Sequence, residues 1–372
     1  MPTGLRETRS LESRPRLKAT CIKLHDLALE LGPEARLPTM AELREELEVS
    51  TYTLNAAIRE LERRQVLRSV NGVGIFVTSR KKMLTGNIGL IGSASLHKQQ
   101  TSYYSQLVRG MEIATVENGQ NLLFLGTGLT WSRKACDKVD GILVAGIEQL
   151  SDLLKQLPPE LPVVTALTSF KDVPAVIADD YNGAKSAVQY LLQNGHRRIA
   201  CLLEETPSLP RRRFMGYKVA LLDAGIEIDP QWTRLTPRVD NTSTQNYRLW
   251  GRQEMTQWLR TDWDALGCTA IFVQNETAAI GVIHSLQEAG IQVPQQVSVI
   301  GFDGTELCDY VIPQLTAMQV PLAQIGAKAV HLLDQIIRDH SAETSEIAFP
   351  LTLREGDSVT KTSASCYVDA VA

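Results

Sequence analysis

Apolar positions along the chain follow two rhythms. In residues 15–31, PRLKATCIKLHDLALEL, Leu17, Cys21, Leu24, Leu27, Ala28 and Leu31 recur at three- and four-residue intervals. This is the stripe of an amphipathic helix, and Gly32-Pro33 ends it. In LPTMAELREEL, Thr39 precedes Glu42 by three residues, a capping box for a second helix that buries Leu43 and Leu47. Ser50 suits the N-cap of a third helix. There Leu54, Ala57, Ile58 and Leu61 face a core, while Thr51, Tyr52, Asn55 and Arg59 face solvent. LRSV and VGIFV then read as two short strands joined through Asn71-Gly72. After the polar, basic stretch TSRKKMLTGN the rhythm changes. Apolar runs (IGLIG, NLLFLG, GILVAG, PVVTAL) alternate with helical patterns over 103–118, 148–157 and 182–193. RIACLLE starts a second series, with helices over 211–224, 248–260 and 277–289 and the strands AIFVQ and VSVIGFDG.

Two helices, a turn, a third helix and a hairpin predict an α+β winged helix-turn-helix domain over residues 1–77, followed by a linker over 78–87. A β-α rhythm repeated twice predicts an α/β body over 88–355, made of two doubly wound lobes, with a tail over 356–372. Ligands of such sheets sit at the carboxyl ends of the strands, and two lobes offer a cleft. The free amides at the start of the third helix suit a phosphate, and its outward side chains suit the major groove. Double-stranded DNA is therefore the expected partner. Its expected contacts are Thr39, Ser50, Thr51, Tyr52, Thr53, Asn55 and Arg59 on the helices, with Arg68, Asn71 and Gly72 on the hairpin. Arg80, Lys81 and Lys82 of the linker are further candidates for phosphate or plain solvation.

Charge sharpens this division. The chain carries −4 overall, yet residues 1–82 carry 15 Lys+Arg against 11 Asp+Glu, leaving an acidic remainder. A basic head on an acidic body fits a DNA-binding module fused to something else. No apolar run reaches the length of a membrane span, and MPTGLRETRSLESRPRLK is charged where a signal peptide would be apolar. A cytoplasmic location and no membrane partner are expected. The six scattered cysteines include no C-x-x-C pair and read as reduced thiols. No phosphate loop, nucleophile elbow, zinc-protease motif or dinucleotide fingerprint is present, so no catalytic residue, metal or cofactor is expected. His196, just after Gly195, reads as a capping or surface residue.

ARLPTMAELREELEVSTYTLNAAIRELERRQVLRSVNGVGIFV resembles the winged-helix domain of the GntR family of bacterial regulators, through its Leu-Pro start, Val-Ser turn and Gly-x-Gly-x-Phe-Val wing. It departs from that family at Ala41, Thr51, Asn55 and Ala56, where arginine is common. Asn55 is suited to adenine, and Thr51 or Tyr52 to a thymine methyl or a phosphate, so base preference is not transferable. VIADDYNGAKSAVQYLLQNGHRRIACL, RRRFMGYKVALLDAGI and AIFVQNETAAIGVIHSLQEAGIQVPQQVSVIGFDGTELCDYVIPQL are similar to the effector-binding domain of LacI/GalR repressors, a periplasmic-binding-protein-like fold. A GntR-like head on a LacI-like body resembles the arabinose-repressor type of regulator.

That resemblance implies an effector pocket holding Arg213, Asn275, Asp303 and the aromatic pair Tyr103 and Tyr104, of which at most one reaches it while the other packs, with Arg211 and Arg212 left at the surface. Glu276 and Gly304 stand where the family commonly has Asp, and LTWSRKACDK is short for the helix expected there. The resemblance also implies a homodimer on a palindromic operator, repressing carbohydrate-utilisation genes until a small sugar releases it. The alternative is a constitutive DNA-binding regulator whose body serves only dimerisation.

Overall fold

The computed structural model describes residues 15–32, 34–63, 66–78, 84–92, 102–127, 133–147, 150–205, 209–237, 247–339 and 345–362. They fall in two compact units, Met1–Leu84 and Thr85–Ala372. Arg80, Lys81 and Lys82 lie outside the described residues.

The first unit contains α1 (Pro15–Leu31), α2 (Met40–Glu46) and α3 (Thr51–Arg63), followed by β1 (Leu67–Val70) and β2 (Gly74–Val77). Leu24, Leu43, Leu54, Ala57, Ile58 and Leu61 form its core, as their helical spacing requires. Leu31 departs from the expected stripe. It is exposed, because the helix ends there and the stripe outruns the core by one residue. The capping box at Thr39 is closed: its amide donates to Glu42 Oε2 at 2.7 Å. At α3 the Thr53 amide donates to Ser50 Oγ at 3.1 Å. β1 and β2 are antiparallel with Val70 opposite Gly74, so the turn takes in Val73 as well as Asn71-Gly72. Glu34–Leu37 adds a third edge to this small sheet, with Leu37 N–H to Ile75 O at 2.8 Å and Val77 N–H to Ala35 O at 2.8 Å.

The second unit begins with β3 (Asn87–Gly92), α4 (Ser102–Glu117), β4 (Asn121–Thr127), β5 (Gly141–Ala145), α5 (Leu150–Leu154), β6 (Val163–Ala166) and β7 (Ala175–Ala178). It continues through α6 (Asp180–Gln193), β8 (Ile199–Glu205), α7 (Leu209–Asp223), β9 (Thr233–Pro237), α8 (Tyr247–Thr261), α9 (Trp263–Leu266), β10 (Ala270–Val273) and α10 (Glu276–Glu288). Last come β11 (Ser298–Asp303), β12 (Thr316–Gln319), α11 (Leu322–Asp339), β13 (Glu346–Phe349) and β14 (Thr352–Arg354).

Two sheets result. One has the order β13-β7-β6-β5-β3-β4 and is wholly parallel. The other, β14-β12-β11-β10-β8-β9, is parallel except for its edge strand β14. The chain passes between the lobes three times, from β7 to α6, from β12 to α11 and from β13 to β14. The segment expected to be short is a 3-10 turn, Arg133–Lys138, in place of a helix. Beyond β14 the chain stays attached: Ser358 Oγ donates to Val299 O at 2.6 Å and accepts from Thr316 N–H at 2.8 Å.

Helix pairs cross closely where glycines face each other's backbones. A Cβ on Gly110 of α4 would strike the Ala323 carbonyl of α11, and one on Gly326 would strike the Leu107 carbonyl. Neither obstacle is a side chain that can turn aside. Gly110→Ala is expected to destabilise the body by about 1–3 kcal/mol, as overpacking does. A urea melt unchanged by this substitution would show that the α4–α11 crossing is not rigid.

Among the described residues, no helix is long and apolar enough to cross a membrane.

Candidate functional site

Arg213 is the centre of the lobe junction. It sits one turn into α7, is only 7% exposed, and is surrounded by groups from three other elements. Its Nε donates to Asp180 Oδ1 at 2.8 Å, at the start of α6. Nη1 donates to the Gln274 carbonyl, just past β10. Nη2 lies 3.6 Å from Asp303 Oδ1, at the end of β11. The guanidinium rests over the Phe302 ring at 3.7 Å. Burial opposes its charge, but Asp180 and Asp303 more than offset this and hold Arg213 above its ordinary pKa.

The two carboxylates are raised as well, which for an acid favours the neutral form. Burial raises Asp180 despite the pull of Arg213. Burial also raises Asp303, from 3.8 to about 7, with Arg213 opposing and the neighbouring Glu276 and Asp180 adding to the rise. Asp303 adopts φ 82°, a backbone conformation unusual for a residue with a Cβ, at the point where β11 ends. A row of buried charges with perturbed acidity at strand carboxyl ends is where a ligand site is expected in this architecture.

Of the residues expected here, Arg213 and Asp303 are brought together and Tyr103 joins them from the other lobe. Its phenol is pushed well above the usual range by burial and then by Asp303, with Arg213 pulling the other way. Tyr104 packs edge-to-face on Tyr103 at 5.3 Å, and a Cβ on Gly146 would meet its hydroxyl at 2.7 Å. Tyr104 therefore packs on its own lobe while Tyr103 faces the carboxylates. Asn275 caps α10, accepting from Ala278 N–H at 2.8 Å.

Glu276 and Gly304 have structural reasons. Glu276, 2% exposed, accepts from the Thr305 amide and hydroxyl, each at 2.6 Å, and from the Cys308 thiol at 3.5 Å. Its extra methylene lets it brace the turn after Asp303. At Gly304 (φ 64°) a Cβ would lie 2.6 Å from Gln319 Cα, so no larger residue fits this backbone.

Sequence reading missed Asp180, Phe302 and the Gln274 carbonyl. The doublet Asp179-Asp180 was a usable signal: Asp179 caps α6 through Asn182 N–H, which leaves Asp180 pointing elsewhere. Arg211 is exposed as expected, whereas Arg212 is half-buried and bonds Glu346 of the other lobe at 3.2 Å. Gln106 Nε2 likewise donates across the lobes to Glu306 Oε2 at 3.0 Å. The His196 amide caps α6 as expected, donating to Leu191 O at 3.2 Å, but its side chain is not at the surface. It is 2% exposed, with Nδ1 2.9 Å from Thr269 Oγ1 and Nε2 3.0 Å from Thr360 O. A carbonyl only accepts, so Nε2 carries the proton, and burial holds His196 below its ordinary pKa. It fastens the 356–362 segment to the body.

On the head, Thr51, Tyr52, Asn55 and Arg59 are exposed along α3, Tyr52 at 75%. Asn71 and Gly72 are exposed at the hairpin tip. Thr39, Ser50 and Thr53 are engaged in caps, with Ser50 Oγ 2.9 Å from Thr53 Oγ1. Arg68 is held by Glu34 at 2.5 Å and stacks over Phe76 at 5.1 Å.

Comparison with known proteins assigns the same two parts. Residues 25–77 match the bacterial regulatory proteins of the gntR family, and residues 188–359 match the periplasmic binding protein-like domain. The ribose operon repressor of Escherichia coli K12 is 30% identical over 324 residues, covering 83% of this chain and 91% of that protein. The repressor PurR of Vibrio vulnificus is 24% identical over 331 residues, covering 82% and 95%. Among solved structures, a LacI-family transcriptional regulator from Enterococcus faecium with bound ribose is similar at TM-score 0.60 and 25% identity, covering 74% of this chain and all of that one. The cellobiose complex of the regulator CelR shares the fold at TM-score 0.64 and 22% identity, covering 84% and 92%. The chain belongs to the LacI family of transcriptional regulators, with a GntR-type helix-turn-helix as its DNA-binding head.

Proposed function

We propose that the chain represses carbohydrate-utilisation genes: as a homodimer its two heads hold a palindromic operator, and a small sugar in the cleft releases it. The observation that carries this reading is the Arg213 cluster at the lobe junction, faced by Tyr103. A vicinal diol both donates to carboxylates and accepts from a guanidinium, and charged partners roughly double the strength of such bonds. Tyr103 supplies an aromatic face for the C–H side of a sugar ring, while Phe302, fully buried, backs the Arg213 guanidinium. Asn275, at the same strand-end row, adds an amide. The ribose named in two of the relatives makes a pentose the first candidate.

Thr51, Tyr52, Asn55 and Arg59 would touch base edges or phosphates, the caps at Thr39, Ser50 and Thr53 would set the helix ends toward the backbone, and Asn71 and Gly72 would approach it from the wing. One small head neutralises few phosphates, so two tethered heads are needed at cellular salt. Tyr310 and Ile312, 79% and 85% exposed, support an interface on the body. Sugar binding would shift the lobes and their cross-lobe pairs, Gln106–Glu306 and Arg212–Glu346. A coupling of about 1–3 kcal/mol is enough to alter operator occupancy.

The test is calorimetry of the whole chain against a panel of pentoses and hexoses beginning with D-ribose. Heat of binding with at least one sugar is expected. Silence across the panel would favour the constitutive regulator whose body only dimerises.

A further inference from the structure

The wing carries two arginines that share one row of its sheet. Register places Arg68 of β1 opposite Phe76 of β2, and Arg36 of the flanking edge opposite Phe76 from the other side. Cross-strand neighbours project from the same face of a sheet, so Arg36, Phe76 and Arg68 form one row. Within that row the two cations have different surroundings. Arg68 is neutralised by Glu34 at 2.5 Å and laid on the Phe76 ring. Arg36 is exposed and, among the described residues, has no ion-pair partner. Glu42, whose carboxylate is closed into the capping box, is lowered chiefly by its bonds to Thr39 and only slightly by Arg36.

The direction taken by Arg36 is written into Gly74. Residues two apart on a strand share a face, so Gly74 lies on the same side as Phe76, one step nearer the hairpin tip. A Cβ at Gly74 would stand 2.8 Å from Arg36 Nε and 3.4 Å from both its Cζ and Nη2. The guanidinium thus crosses β2 through the gap that the missing side chain leaves. Gly74 also has φ 147°, which a residue with a Cβ seldom adopts. Glycine here serves the backbone and clears the path of the cation together.

We infer that Arg36, rather than Arg68, is the wing's phosphate-binding cation, carried toward the hairpin tip across the notch at Gly74. The inference rests on the DNA-binding reading of the head. A guanidinium offers a planar fork of donors to phosphate oxygens, and an unpaired one gives up no existing salt bridge when it binds. Arg68 would have to leave Glu34 first.

The test uses the full chain and a mixed-sequence 40-base-pair duplex followed by fluorescence anisotropy across a series of KCl concentrations. Arg36→Ala is expected to weaken binding about 5- to 10-fold at the lowest salt and to make the slope of log K against log [KCl] shallower by about 0.9 for each phosphate no longer neutralised. Arg36→Lys, which keeps the charge, should retain most of the slope. An Arg36→Ala slope equal to that of the wild type overturns the inference while leaving the head a DNA binder, and a weakening confined to Arg68→Ala assigns the phosphate to Arg68 instead. Failure of the wild type to bind duplex at any salt removes the DNA reading itself, and the inference with it.

Discussion

Arg213→Ala is expected to lower the unfolding free energy of the body by about 3–5 kcal/mol, the usual consequence of removing one partner from a buried charge cluster, and to abolish sugar binding. The stability loss follows from what remains. Asp180 is 1% exposed and Asp303 is close beside it, and without the guanidinium each keeps the burial penalty and loses the charge that offset it. The Gln274 carbonyl loses its donor as well, and the Phe302 ring loses its stacked partner. Arg213→Lys retains a positive charge but not the fork that reaches Asp180, Gln274 and Asp303 at once, so an intermediate loss is expected. Urea melts and calorimetry on the three proteins measure both effects. An alanine variant with wild-type stability would mean that Arg213 is solvated in solution and that the cluster does not organise the cleft.

The second large effect is a dependence on pH that runs opposite to ordinary acid denaturation. Asp303 has a pKa of about 7 in the folded chain against 3.8 for the free side chain. Between those values the native state holds a proton that the unfolded chain has released, so this group's contribution falls as pH rises from about 4 to 7 and its penalty is complete above that window. Asp303→Asn removes the titration. Relative to wild type, the variant should gain at least about 1.4 kcal/mol between pH 5 and pH 8, the equivalent of one pKa unit, and should bind sugar more weakly because it lacks the acceptor charge. His196 works in the other sense, since its lowered pKa makes the fold lose stability on acidification. It is present in both proteins and cancels in the difference. Urea melts of both at the two pH values give the answer, and parallel curves would place Asp303 in contact with water.

The elements of the head and most of those in the body as far as β11 were legible because they depend on period alone, whereas β7, β9, β12, α11, β13 and β14 were not read from the sequence. Leu54, Ala57, Ile58 and Leu61 could face inward only on a helix, and VSVIGF could be buried on both faces only in a parallel sheet. The Arg213–Asp303 pair was legible through resemblance, since the two residues are 90 positions apart and nothing local joins them. Asp180 was not, because its neighbour Asp179 takes the obvious capping role and hides the tertiary one. Glu276 read as an irregularity until its bonds to Thr305 and Cys308 gave its length a purpose. The glycine before His196 correctly signalled the helix cap, but the burial of its side chain was decided by Thr269 and Thr360, far along the chain. Arg68 had the expected position at the wing, while its pairing with Glu34 depends on the third edge of the sheet, which no local pattern signals.

The claim on which the rest depends is that cleft and head share one equilibrium. It is tested most directly by selecting the chain's preferred duplex from a random pool and titrating that duplex by fluorescence anisotropy with and without the sugar that gives calorimetric heat. The account predicts operator affinity weakened about 5- to 150-fold by saturating sugar, the range that a coupling of about 1–3 kcal/mol produces, and no such change for Arg213→Ala. Equal affinity with and without the bound sugar would contradict it.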